Sequence, residues 1–283
     1  MASISSITQR WVDRIYHRTV DILQYLDHGR GYQNYSEGLQ FFEEGRYEVA
    51  SIFFRRAVEA DPRYLSAWIL MGICLRHMGE YATARDCFHE AITLDAREPL
   101  AYYQRGLNSM QMDLAELAIL DFSITLEIDE GHLPARANRA LAYEQVNDPG
   151  KALADWDRVI SQDNAQPKYY LGRGRAKEMM GEQEAALWDY GSAIELDAKW
   201  GESYRHRGKL NFHMGRDARA LEDFEQALDL GIDVPEVNGL GAILLARNGD
   251  RLLALTWLER ARIQNWKPAR QIEKELEALN LIL

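Results

Sequence analysis

The chain has 283 residues, 47% of them hydrophobic, which is ordinary for a globular protein and too many for a disordered one. Asp and Glu outnumber Lys and Arg 44 to 33, a net charge of −11 that argues against nucleic acid and anionic membrane as partners. Two cysteines cannot form a disulfide framework and no apolar run is long enough to span a bilayer, so the expected location is the cytoplasm.

The first predicted element is an amphipathic helix over residues 3–27. Ile4, Ile7, Trp11, Ile15, Ile22 and Leu26 share one face, and Arg10, Asp13, Arg14, His17 and Asp21 the other. Its acidic residues argue against a signal or transit peptide. Three roles are open: a cap over the first repeat, a dimerisation helix, or a helix folded back into a groove. The cap is favoured, because stacked repeats need a polar end. Residues 28–31 form a hinge-like linker, and 1–30 are taken as one segment.

A period of 34 residues then organises residues 31–268. Ala50, Ala84, Ala118, Ala152, Ala186, Ala220 and Ala254 keep step without a slip. Four residues later come Phe54, Phe88, Phe122, Trp156, Tyr190, Phe224 and Leu258, and twelve residues earlier Gly38, Gly72, Gly106, Ala140, Gly174, Gly208 and Ala242. Asp61, Asp95, Asp129, Asp163 and Asp197 recur at the ends of units. Small residues let two helices approach closely, and the large one is expected to fill the gap toward the next unit. Each unit therefore reads as helix, tight turn, helix. The turns fall at Gly45, Gly79, Gly181, Gly215 and Gly249, with Asp113 and Asn147 standing in, all residues that tolerate a left-handed backbone.

This pattern resembles the tetratricopeptide repeat. In the second unit Trp68, Gly72, Gly79, Tyr81, Ala84, Phe88 and Ala91 fall on that family's signature positions. The resemblance implies an all-α, right-handed α-solenoid of seven repeats with capping helices at both ends. Because the signature residues are packing residues, it says less about function. The fourth repeat departs from the pattern with Pro149 and no turn glycine, and the seventh lacks the aromatic at its twenty-fourth position.

Repeats three to six carry Arg105, Arg139, Arg173 and Arg207 at position seven and Asp121, Asp155, Asp189 and Asp223 at position twenty-three. Charges that come and go together are read as ion pairs stapling first helix to second; the alternative is four ligand-binding arginines. Residues 269–283 predict a short C-terminal cap through Ile272, Leu276 and Leu279, and the apolar end Leu281, Ile282 and Leu283 is read first as tucked against the last repeat and alternatively as a small docking tag. No phosphate loop, nucleotide fingerprint or nucleophile elbow occurs, no cofactor is implied, and nothing supports an enzyme. His206 and His213 are about 10.5 Å apart along one helix, too far to share a metal. Cys74 and Cys87 read as small buried hydrophobes.

The resemblance further implies that first helices line an inner wall through positions two, five, nine and twelve. In repeats one to four these give an apolar strip: Tyr32, Tyr35, Leu39, Phe42, Ile69, Ile73, Tyr103, Leu107, Met110 and Leu141. Such a patch fits partner binding, unless the N-terminal helix or a second copy covers it. Further along, Lys168, Arg175, Arg205, Lys209 and Arg247, together with Asn138 and with Glu178, Glu202 and Glu236 among them, form a polar half that is either suited to a carboxylate or acidic stretch or simply a solvated face of mixed charge. The carboxylate clamp of some family members is incomplete, because Tyr103, Leu107 and Gly172 occupy three of its positions. The expected function is a non-enzymatic scaffold or adaptor holding a peptide or helix of another protein. The alternative is a self-associating structural subunit that uses the N-terminal helix and the apolar strip.

Overall fold

A computed structural model describes residues 30–268 and 270–281; the helix expected over 3–27, and with it Ile282 and Leu283, lies outside the described residues. Among the described residues there are fifteen α-helices and no strands, and the fold is an α-solenoid of tandem helical hairpins. The chain divides into two compact units, Met1–Val146 and Asn147–Leu283, within the turn of the fourth repeat. In the first unit α1 spans Arg30–Glu43, α2 Tyr47–Ala60, α3 Leu65–His77, α4 Tyr81–Leu94, α5 Pro99–Gln111, α6 Ala115–Ile128 and α7 Leu133–Gln145. In the second, α8 spans Pro149–Gln162, α9 Pro167–Met179, α10 Gln183–Leu196, α11 Gly201–His213, α12 Asp217–Asp229, α13 Pro235–Arg247, α14 Arg251–Ile263 and α15 Arg270–Ala278.

The punctuation follows from backbone chemistry. All seven expected turn residues have positive φ, from 57° at Asp113 and Asn147 to 88° at Gly249. The aspartate column ends second helices: Oδ1 of Asp61, Asp95, Asp129, Asp163 and Asp197 accepts from the backbone N–H two residues on, at 2.8–3.1 Å. Pro149 does not disturb the fourth repeat. It opens α8, where its missing N–H is no loss, and the Asp148 carboxylate caps that helix by accepting from Lys151 N–H.

The seven column alanines are fully buried. The rings differ from the expectation. Phe54, Phe88, Phe122, Tyr190 and Phe224 lie against the glycine of their own repeat, so a methyl group on Gly72, Gly106 or Gly174 would sit 2.6, 2.6 or 2.5 Å from Phe88, Phe122 or Tyr190; Trp156 alone of the column's rings meets a glycine of the next repeat. Each such ring, fully buried, contributes about 2–3 kcal/mol. The indoles need extra room. Trp156 reaches the next repeat and lies over Gly172, Trp257 over Gly241, and Trp266 over Gly239.

The ion-pair reading of the charge columns holds wherever both partners lie in one unit. Arg105 meets Asp121 at 2.7 Å, Arg173 meets Asp189 at 2.6 Å and Arg207 meets Asp223 at 2.7 Å, with every aspartate buried. Arg139 donates to Ser123 Oγ within the first unit. A third column, not picked out from the sequence, completes the motif: the guanidinium groups of Arg105, Arg173 and Arg207 lie over the rings of Tyr102, Tyr170 and Tyr204. In the seventh repeat Gly241 and Trp257 take these positions and fill the space with an apolar ring. At the C-terminal end Leu276 and Leu281 are buried in one cluster with Ile243 and Leu244 of α13. Cys74 and Cys87 are free and buried, and burial raises both thiol pKa values, that of Cys87 to about 12.

Candidate functional site

The first unit places its expected site residues on α1, α3, α5 and α7. Four expectations are corrected. Tyr35, Leu39, Ile69 and Ile73 belong to the core and do not line an open wall. The physical reason is the composition of α3, whose residues from Ile69 to Leu75 are all buried; a helix apolar on every side has no polar face to leave in water. Tyr35 is enclosed by the rings of Phe54 and Tyr64, with centroids 5.8 and 4.6 Å away. Tyr32, Phe42, Tyr103, Leu107, Met110 and Leu141 are half-buried and keep part of their apolar surface. Phe42 packs edge-on to Tyr47, while Tyr103, Leu107 and Met110 pack on the cluster that contains Phe122. Asn138 bridges α7 to α5, its Nδ2 donating to Tyr103 Oη at 3.3 Å and to Pro134 O at 2.8 Å.

One residue of this wall was not singled out in the sequence. Arg76, at the twelfth position of the second repeat, donates through Nη2 to Gln104 Oε1 at 3.2 Å. Its Nε is buried with no acceptor, and no described carboxylate pairs with it. Burial lowers its pKa, opposed by the phenols of Tyr103, Tyr47 and Tyr81. The available signal was an arginine between Phe42 and Met110 at the twelfth position, a column that turns acidic at Glu144 and Glu178.

In the second unit the polar half is a mixed face in which cations and carboxylates pair with one another. Arg205 is held by Glu202 at 2.7 Å and Glu236 at 3.2 Å, and Lys209 by Glu236 at 2.8 Å. Arg247 is held by Asp217 at 2.8 Å and by Glu275. Arg175 lies near enough to help Arg205 and Lys209 suppress protonation of His206, whose pKa falls to about 3, chiefly through burial. Arg205, Lys209 and Arg247 thus already have carboxylates, because this acidic chain supplies them from neighbouring turns and helices. Lys168 is exposed and lies over the ring of its neighbour Tyr169. A pocket of about 450 Å³ is lined by Trp188, which is 63% exposed, and by the paired Arg207 and Asp223. Exposed apolar residues follow one face of a second helix in each unit, Leu117, Leu120 and Ile128 on α6 and Leu252, Leu255 and Ile263 on α14.

Among the described residues no group of three His, Cys, Asp or Glu side chains is placed to hold a metal, and no helix is long and apolar enough to cross a membrane. The family model for the tetratricopeptide repeat matches residues 66–97. No curated protein matches the sequence significantly. The fold is similar to that of a tetratricopeptide repeat protein from Parabacteroides merdae, at a TM-score of 0.70 and 18% identity over 89% of this chain and 99% of that one. It is similar to YrrB, a repeat protein described as having an unusual peptide-binding site, at 0.55 and 18% over 65% and 95%. It is also similar to a chain of the Cut9–Hcn1 hetero-tetramer, at 0.68 and 15% over 94% and 51%.

Proposed function

We propose that this chain, a tetratricopeptide-repeat protein, is a non-enzymatic scaffold that holds a peptide or helix of a partner protein on the first-helix wall of its first unit. The observation that carries the reading is the set of half-buried apolar side chains left there, Tyr32, Phe42, Tyr103, Leu107 and Met110. Half-buried aromatics on a rigid helix wall supply contact area with little entropy left to lose, and such residues dominate binding energy at interface centres. The paired cations of the second unit argue for the apolar half, because each is already neutralised within the chain. The two free, buried thiols support a reducing compartment such as the cytoplasm.

The test is selection of a phage-displayed random dodecapeptide library on the full chain, followed by fluorescence polarisation with the enriched peptides. Leu107→Glu places a charge in the middle of the wall and weakens binding at least tenfold. Lys168→Glu on the second unit changes it less than twofold. Thermal melts check that both variants fold. A library that yields no binder, or binders indifferent to Leu107→Glu, rejects the assignment.

A further inference from the structure

We propose that Arg76 is a carboxylate-recognition residue, which selects a partner segment that is apolar except for one acidic side chain. The inference rests on the scaffold reading above and deepens it by stating the chemistry of the partner. A guanidinium has five N–H donors and stays charged, so it normally lies in water or against a carboxylate. Five other arginines of first helices follow that rule, Arg105, Arg173, Arg205, Arg207 and Arg247, each meeting an aspartate or glutamate, while Arg136 donates to Glu130 O and Arg139 to Ser123 Oγ. Arg76 does neither. It is half-buried, its Nε is sealed from solvent without an acceptor, and its Nη2 donates to a neutral amide, Gln104 Oε1.

The surroundings add to the mismatch. Arg76 shares its helix position with Phe42 of the preceding repeat and Met110 of the following one, and the phenols of Tyr103, Tyr47 and Tyr81 lie close enough to affect its titration. A cation in such walls costs desolvation energy that nothing in the described chain recovers. A carboxylate entering with a ligand would recover it through a charge-assisted hydrogen bond, for which the guanidinium fork is shaped. Charge complementarity also limits the number of acids. The whole chain carries −11, so a polyacidic partner is repelled at long range, and a single acid within an apolar stretch gains the local contact without that penalty.

The enriched dodecapeptides are resynthesised with acetylated and amidated ends, so that no terminal charge remains. The expected result is a shared Asp or Glu among apolar residues. Its replacement by Asn or Gln weakens binding to the wild-type chain at least tenfold and to Arg76→Gln less than twofold. Arg76→Lys restores part of the preference. Thermal melts of both variants establish that they fold, and if Arg76→Gln does not, the comparison is made with Arg76→Lys and Gln104→Leu. Binders that depend on Leu107 but carry no shared acid leave the scaffold intact and overturn the role of Arg76. Peptides that bind only with a free C-terminus replace the acidic side chain by a terminal carboxylate and overturn the assignment. A synthetic peptide of residues 1–28 that displaces them, with the same Arg76 dependence, overturns it in favour of the chain's own segment. Absence of any binder overturns both readings.

Discussion

Replacing Asp189 by asparagine destabilises the protein by about 3 kcal/mol, the low end of the cost of breaking a buried ion pair from one side. The carboxylate is fully buried and holds two cations, Arg173 at 2.6 Å and Lys177 at 2.8 Å, both mostly buried themselves. Asparagine keeps the shape and removes the charge, so the loss is electrostatic and leaves no cavity. Arg173 retains Asp157 at 2.9 Å, which is why the upper end of the range is not reached. Urea unfolding of the full chain, followed by circular dichroism, measures the change. The triple variant Arg173→Met, Lys177→Met and Asp189→Leu recovers most of the loss, since removing every member of a buried charge cluster is often close to neutral. A cost below about 1 kcal/mol for Asp189→Asn would place this pair with exposed ones and defeat the stapling account.

Gly172→Ala costs about 2 kcal/mol, although alanine is the better helix former by nearly 1 kcal/mol. The added methyl would lie 2.5 Å from Cε2 of Trp156, an indole that is 3% exposed and has no room to retreat. The sign of the effect therefore separates packing from propensity. Trp156→Phe shrinks the ring, and in that background Gly172→Ala becomes neutral or stabilising. A double-mutant cycle on thermal unfolding gives the coupling directly. Additive effects of the two substitutions would show that the glycine serves some purpose other than receiving the indole.

The repeat number, the turns and the partnership of the Arg and Asp columns were legible because each recurs with the period: a residue type that returns every 34 positions reports a constraint that also returns. The left-handed residues outside that rhythm, Gly231, Asn265 and Asn280, carried no such signal. Nor did the matching of Trp156 with Gly172, Trp257 with Gly241 and Trp266 with Gly239, because each is a local solution occurring once. The apolar strip was overread for a different reason. Helix periodicity says which side chains share a face, but not what stands opposite that face. Ile69 and Ile73 have the spacing of a wall and the burial of a core. For the polar half, the sequence placed Glu202 and Glu236 among the cations, and only the geometry paired them with Arg205 and Lys209.

The salt bridges of the charge columns close over sixteen residues, from Arg105 to Asp121, Arg173 to Asp189 and Arg207 to Asp223, and so fall inside a single period. Contacts this near in sequence require little loop-closure entropy, which gives the array a low contact order and lets folding nucleate in any repeat that carries the pair. The same locality bears on how such an array changes over generations. A duplication or deletion of one whole repeat carries cation and anion together, so its gain or loss leaves no member of the column without its counter-charge.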